Sequence, residues 1–362
     1  MKTYNNLYDE IASLPNLFLA WEEFRKGKTS KKDILEFEWR LEENIIKLCR
    51  DLRYHRYKHG VYISFYITDP KRRQIHKATV RDRVLHHAIF RILNPIFEPC
   101  FISHSFSCQV GKGTHRGVKT LANILRKVSQ NNTSPCFALK CDIKQFFGSV
   151  DHSILLNIIK KKIKDKETSW LLGEIIESFS PPSQIKQESK IYLRQESLFV
   201  PRYGLPIGNL TSQLFANIYL NEFDYYIKHD LKIKHYLRYT DDFIIVDTKK
   251  ENLVKLLPKI RQYLSKCLRL ELHPNKVEIR KYSQGIDFLG YVILPFHCRV
   301  RTKTKRRTFK KLKHKVEEYK AGLILKYTLE QSLHSYIGIL KHANCYKLQN
   351  KLKNQFWFWL SG

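Results

Sequence analysis

The chain has 362 residues, 43% of them hydrophobic, enough for two or three structural units and a sizeable core. Its 65 Lys and Arg against 34 Asp and Glu leave a formal charge of +31, so a polyanion, nucleic acid first, is the expected partner. No apolar run approaches the roughly 20 residues that span a bilayer, and Met1 to Asn6 lacks the apolar core of a signal peptide; a cytoplasmic protein with no membrane partner is expected.

Residues 1–60 read as a helical extension. Ile34, Phe37, Leu41, Ile45 and Leu48 recur at helical spacing, with Ser30 and Asp33 available to cap the start. Lys26-Gly27-Lys28-Thr29-Ser30 ends like a phosphate-binding loop, but Glu22 stands where that loop needs glycine, which excludes it. Tyr62 to Ile67 alternates like a strand, and Asp69-Pro70-Lys71 marks a turn. A basic strand, Arg72 to Lys77, and a helix from Arg81 to Leu93 follow. Between about 136 and 295 strands, helices and a hairpin alternate in a way that predicts α+β rather than a doubly wound parallel sheet. Ser180-Pro181-Pro182-Ser183 opens a polar insertion reaching about Glu196, expected as a surface loop or small hairpin. Arg299 through Lys315 holds ten Lys or Arg in 17 residues and no acid. Phe309, Leu312, Val316, Tyr319 and Leu323 form a helical apolar stripe beneath that charge, so a packed helix with a basic outer face is predicted.

The eight cysteines form no C-x-x-C pair and sit mostly in apolar segments, which favours a reducing compartment over a zinc site. His297-Cys298 is the only adjacent His–Cys pair. His55 and His59 share a helical face, but neighbouring Arg and Lys would repel a cation.

Carboxylates carry the chemistry. Asp142 ends the apolar strand Phe137 to Cys141, whose alternation puts Phe137, Leu139 and Cys141 on one face and Ala138, Lys140 and Asp142 on the other. Asp241-Asp242 sits at the bend between His235-Tyr236-Leu237 and Phe243-Ile244-Ile245-Val246. Adjacent acids repel unless a cation lies between them. Mg²⁺ suits such a place, and two ions about 3.5–4 Å apart can serve an in-line phosphoryl displacement.

Taken together, the segments resemble the reverse transcriptase family. Tyr239-Thr240-Asp241-Asp242 matches the family's Y-x-D-D hairpin, and Cys141 to Phe147 resembles its first aspartate motif. Gly204 to Gln213 matches the substrate-positioning loop, His273-Pro274-Asn275-Lys276 the later lysine motif, and Phe288-Leu289-Gly290-Tyr291 the primer grip. All occur in the family's order, over about residues 60–295. Most members carry Gln where Ile207 stands and Ser-Pro where Ser212-Gln213 stands. The Ile-Gly-x-x-x-Ser-Gln form, with Asp82 to Ala88 and Gly111 to His115, is similar to enzymes of diversity-generating retroelements.

The resemblance implies a right-hand polymerase: a helical extension at 1–60, fingers and palm at 61–295, and a basic thumb at 296–362. It implies an RNA-directed DNA polymerase, encoded in a bacterium, archaeon or phage, using dNTPs and two Mg²⁺ ions, with Mn²⁺ as the substitute. Template RNA, a cDNA primer strand and a small basic accessory oligomer are the implied partners. Asp142, Asp241 and Asp242 are the implied catalytic and metal residues, with the Ile143 carbonyl assisting. Lys71, Arg73, Arg81, Phe147, Ile207, Gly208, Gln213 and Lys276 are implied at the dNTP, Phe147 as a steric gate against a 2′-hydroxyl. Arg301, Lys303, Lys305, Arg306, Arg307, Lys310 and Lys311 are the expected nucleic-acid contacts. The rival readings are an intron or antiviral reverse transcriptase and, from another class, a catalytically silent RNA-binding protein.

Overall fold

The computed structural model describes residues 2–69, 71–180 and 202–361. Pro70 of the expected turn and most of the polar insertion opened at Ser180 lie outside the described residues.

Helices Tyr8–Ala12, Leu14–Arg25, Lys32–Trp39 and Leu41–Arg53 form the N-terminal region. The apolar stripe from Ile34 to Leu48 crosses a break: Arg40, at φ −125° and ψ 44°, separates two helices that share one buried face. The expected cap does not form. Lys31 occupies the cap position without a side-chain bond, and Asp33 instead pairs with Arg83 and Lys77 at 2.6 and 2.7 Å. Two cations outbid the weaker capping bond for one carboxylate.

Strands β1 (Ile63–Ile67) and β2 (Arg73–Lys77) make an antiparallel hairpin. Alternation in β1 suggests a buried face, yet every β1 residue is exposed, because the hairpin projects as a two-stranded ribbon. Helix Val80–Phe97 follows, longer than expected at both ends. Thr79 caps it: its hydroxyl accepts from the Asp82 amide at 3.2 Å and donates to the Asp82 carboxylate at 2.6 Å.

The central sheet is wholly antiparallel, in the order β4-β5-β3-β6, with β3 Phe137–Asp142, β4 Tyr236–Tyr239, β5 Asp242–Asp247 and β6 Glu278–Lys281. Its two faces feed two cores, as the alternation in β3 requires. Leu139 and Cys141 join the larger core with Leu214 and Phe223 of helix Leu210–Tyr225. Ala138, Ile244 and Val246 face helix Thr114–Val128, a second sheet of β7 (Ile286–Phe288), β8 (Tyr291–Ile293) and β9 (Cys298–Val300), and helix Thr302–Lys320. The α+β expectation holds. Residues beyond 295 pack on Phe288 and Tyr291 within this second core, so no break in packing marks that position. Leu323 leaves the predicted stripe: helix Thr302–Lys320 stops short of it, and its side chain is exposed.

Candidate active site

The acidic turn is built from buried parts. Tyr239 pairs with Asp242 across β4 and β5, which leaves Thr240 and Asp241 as a two-residue turn. Thr240 has φ +54°, uncommon for a β-branched residue. Two contacts hold it there: its hydroxyl lies 2.7 Å from Ser107 Oγ, and Arg238 donates to its carbonyl at 3.2 Å. Arg238 is fully buried and makes a two-pronged pair with Asp224 at 2.8 and 2.6 Å, a carboxylate that also accepts from the Tyr236 hydroxyl.

Asp142 lies directly opposite Asp242 in the β3–β5 ladder, so both side chains leave the same face. The Ile143 amide donates to the Asp241 carbonyl at 3.1 Å, which ties the end of β3 to the turn. Residues 271–276 run beside this end through Lys144 N–H to Glu271 O and His273 N–H to Asp142 O, both 2.8 Å. That course places Lys276 Nζ 2.7 Å from Asp142 Oδ1. Lys140 Nζ lies 3.7 Å from Asp242 Oδ2.

Burial pushes the Asp242 carboxyl up to about 6, opposed by Lys140 and reinforced by Asp142, Asp241 and Asp287. Asp241 is also raised, by burial first and then by Asp142, against the charges of Lys276 and Arg73. Asp242 Oδ1 is buried without a hydrogen-bond partner. Two ammonium groups, Lys276 and Lys140, are the counter-charges at Asp142 and Asp242, and they leave Asp242 Oδ1 without a partner. Among the described residues no three His, Cys, Asp or Glu side chains form a ready-made cage, so the oxygens are the right kind but spread apart.

A stability prediction follows from the raised Asp242. Its neutral form favours the fold fully below the unfolded value near 4, and that contribution is lost as pH rises through about 6. Asp242→Asn should therefore stabilise the metal-free protein by about 1–2 kcal/mol at pH 7.5 and by almost nothing at pH 4. Urea melts in EDTA at both pH values check this; equal midpoints at pH 7.5 would sink it.

The loop from Gly204 to Asn209 is pinned to β2. The Ile207 carbonyl accepts from the His76 amide at 2.9 Å, and Asn209 Nδ2 donates to the His76 carbonyl at 2.9 Å. Gly208 has φ +116°, and a Cβ there would meet Ile75 Cγ2 at 2.8 Å, so glycine permits the close approach. The Leu205 amide donates to the Phe147 carbonyl at 2.6 Å. These bonds link Phe147, the Gly204–Ile207 loop and β2 in turn, with Lys71 and Arg73 exposed at the β1–β2 hairpin and Gln213 exposed in the first turn of Leu210–Tyr225. Arg81 is placed elsewhere: it pairs with Asp51 at 2.8 Å and lies over the Tyr57 ring, because helix Val80–Phe97 begins against the N-terminal helices.

The segment Phe288-Leu289-Gly290-Tyr291 is a tight hairpin. Phe288 pairs with Tyr291, and Leu289 and Gly290 turn at φ +49° and +91°. Phe288 and Tyr291 are buried, so the Leu289-Gly290 tip is what the hairpin presents. Tyr291 donates to the Ile339 carbonyl at 2.9 Å. On helix Thr302–Lys320, Lys303, Lys305, Arg306 and Lys310 are exposed. Arg307 and Lys311 instead reach Asp69, at the end of the β1–β2 hairpin.

Sequence reasoning missed Lys140, Arg238, Asp224 and Asp287. Arg238 had a signal, a lone charge inside the apolar strand Tyr236-Leu237-Arg238-Tyr239. The others needed the fold.

The sequence profile described as "Reverse transcriptase (RNA-dependent DNA polymerase)" matches residues 67–293, well over half the chain. Among curated relatives, the group II intron-encoded protein LtrA of Lactococcus lactis subsp. cremoris is 25% identical, over 81% of this chain and 57% of its own length. Protein YkfC of Escherichia coli (strain K12) is 23% identical, over 59% of this chain and 61% of its own length. Nuclear intron maturase 1, mitochondrial, of Arabidopsis thaliana is 22% identical, over 59% of this chain and 40% of its own length. The chain spans less than two thirds of the length of each. With the profile match laid over the paired strand ends of Asp142 and Asp242, the chain belongs to the reverse transcriptase (RNA-dependent DNA polymerase) family.

Proposed function

We propose that this protein is an RNA-directed DNA polymerase of the diversity-generating retroelement type, copying a template-repeat RNA into adenine-mutagenised cDNA. The observation that carries the polymerase reading is one constellation: Asp142, Asp241 and Asp242 on adjoining strand ends, Lys276 on Asp142, and Phe147 beside the Gly204–Ile207 loop. Residues 1–60 serve as an extension, 61–295 as fingers and palm, and 296–362 as thumb. Template RNA, a primer strand, dNTPs and a small basic accessory oligomer are the proposed partners. The retroelement subtype rests on Ile207 and Ser212-Gln213.

Mg²⁺, or Mn²⁺ in its place, held by Asp142, Asp241, Asp242 and the Ile143 carbonyl, would supply a more acidic primer 3′-hydroxyl and charge neutralisation at the triphosphate. The protein groups do the positioning. Arg73 and Lys71 bring positive charge to the triphosphate from β2 and the turn before it. Lys276 brings an ammonium to the acidic end of β3, where it can neutralise or protonate departing pyrophosphate. The Phe147 ring closes the floor beneath the sugar. Phe147→Ala should raise incorporation of NTPs relative to dNTPs by about 10–100-fold, the scale of discrimination by bulk alone. Parallel single-nucleotide additions measure it, and an unchanged ratio removes Phe147 as the gate.

Ile207 is the subtype test. By the resemblance, it offers no side-chain hydrogen bond where most reverse transcriptases of other types carry Gln, and its branched carbon is stiff. Ile207→Gln should lower misincorporation opposite template adenine several-fold while polymerisation persists. Primer extension on defined RNA with dNTPs and Mg²⁺, followed by sequencing, decides among the readings. Adenine-centred errors support the retroelement enzyme. Accurate cDNA supports an intron or antiviral enzyme, a reading favoured by the names of the intron-encoded relatives. Folded protein that binds RNA yet makes no cDNA, even with an accessory oligomer added, would be a silent RNA-binding protein.

A further inference from the structure

Lys140 stands between the catalytic turn and the start of the basic helix. Its Nζ lies 3.7 Å from Asp242 Oδ2 and donates to the backbone carbonyl of Asp287 at 2.9 Å. Asp287 Oδ2 is held by Arg301 Nε at 2.6 Å. Arg301 is the residue that opens helix Thr302–Lys320, and its amide donates to Gly290 O at the primer-grip tip, 2.9 Å away. The contacts run in a chain from Asp242 to Lys140, from Lys140 to the backbone of Asp287, and from the Asp287 side chain to Arg301. Each carboxylate keeps one buried oxygen without a hydrogen-bond partner, Asp242 Oδ1 and Asp287 Oδ1. The ammonium thus sits at Asp242 and at the backbone of Asp287, two residues whose carboxylates each keep an unfilled acceptor. Arg301, by contrast, is about half exposed, with its side chain 48% accessible. It borders the run of exposed cations, where a primer or template phosphate would arrive, and a guanidinium binds phosphate in the same forked manner as carboxylate.

We infer that Lys140 is a positioning residue that couples occupancy of the basic helix by primer–template to release of Asp242 for a divalent cation. Without nucleic acid, Arg301 satisfies Asp287, and Lys140 stays as the counter-ion of Asp242. A phosphate that draws Arg301 away leaves Asp287, whose side chain is only 20% accessible, without its guanidinium, a costly state. Lys140 then moves to Asp287, and Asp242 is freed. No bond is made or broken; the exchange is of ionic partners. The inference rests on the reading of the three acids as a cation site, and it adds the order of events: primer–template first, the cation at Asp242 second.

The test is Mn²⁺ binding to the full chain, followed by electron paramagnetic resonance, with and without an RNA–DNA primer–template, the duplex alone serving as background. Circular dichroism checks the fold of each variant. For the unaltered chain, primer–template should tighten Mn²⁺ binding about tenfold, within the usual range of coupling between sites. Lys140→Met should bind Mn²⁺ about tenfold more tightly without nucleic acid and gain little more from it. Asp287→Asn should remain weak and lose the gain, since Lys140 then has no carboxylate to move to. A folded Lys140→Met that matches the unaltered chain in both states overturns the inference, as does an undiminished gain in Asp287→Asn. Failure of the polymerase reading is separable. A chain that makes no cDNA yet shows this coupling keeps the relay, whereas one that polymerises without it loses only the relay.

Discussion

Asp241→Asn should slow primer extension about a thousandfold or more, at the upper end of what losing one charge-stabilising group costs, and should leave RNA binding intact. Asp241 sits in the two-residue turn between β4 and β5, and its backbone carbonyl, not its side chain, takes the Ile143 amide. Asparagine preserves that backbone bond and the turn, so the loss would be one of charge. The raised Asp241 carboxyl says the same from the other side: burial and Asp142 work against its negative charge more than Lys276 and Arg73 support it, so a cation there would be favoured. The exposed Lys303, Lys305, Arg306 and Lys310 are untouched, so affinity for RNA and its salt dependence should not fall. Asp142→Asn should lose a similar factor, and the double variant little more, because residues acting as a unit are not additive. Single-turnover extension beside filter binding measures both. Activity within tenfold of the unaltered chain would remove Asp241 from the chemistry.

Much of this site is legible in the chain, and the reason is local. The strand–turn–strand around Asp241-Asp242 is announced by apolar runs on both sides of two acids, and the ladder then puts Asp142 opposite Asp242. Alternation in β3 assigns Leu139 and Cys141 to one core and Ala138 to the other. Partner choice is what sequence does not carry. Asp33 resembles a capping residue, but it spends its charge on Arg83, fifty positions away. Arg81 resembles a phosphate contact, but Asp51 and Tyr57 reach it first. Lys140 reads as one polar position of a strand, and only the sheet brings Asp287 to it from 147 residues away. Helix ends failed for a similar reason: Leu323 keeps the spacing of the stripe, but the helix has already stopped at Lys320.

Arg238→Met should cost about 3–5 kcal/mol of folding stability, because it strands Asp224 as an uncompensated charge. Both side chains are fully inaccessible. Asp224 would retain the Tyr236 hydroxyl at 2.6 Å, but one neutral donor does not replace a forked guanidinium. Adding Asp224→Leu removes the stranded charge, and apolar replacements of a buried pair are often neutral, so the double variant should recover most of the loss. Its polymerase activity should not recover. Arg238 also donates to the Thr240 carbonyl at 3.2 Å and to Asn217 Oδ1 at 3.4 Å, and methionine does neither. Thr240, at φ +54°, would then be held chiefly by its hydroxyl at Ser107, and the turn carrying Asp241 would relax toward commoner backbone angles. Urea denaturation and primer extension on the two variants separate these roles. A double variant that regains stability and activity together would make the pair a packing device. One that regains stability alone would show that a charge buried beneath the turn sets the geometry of the acids above it.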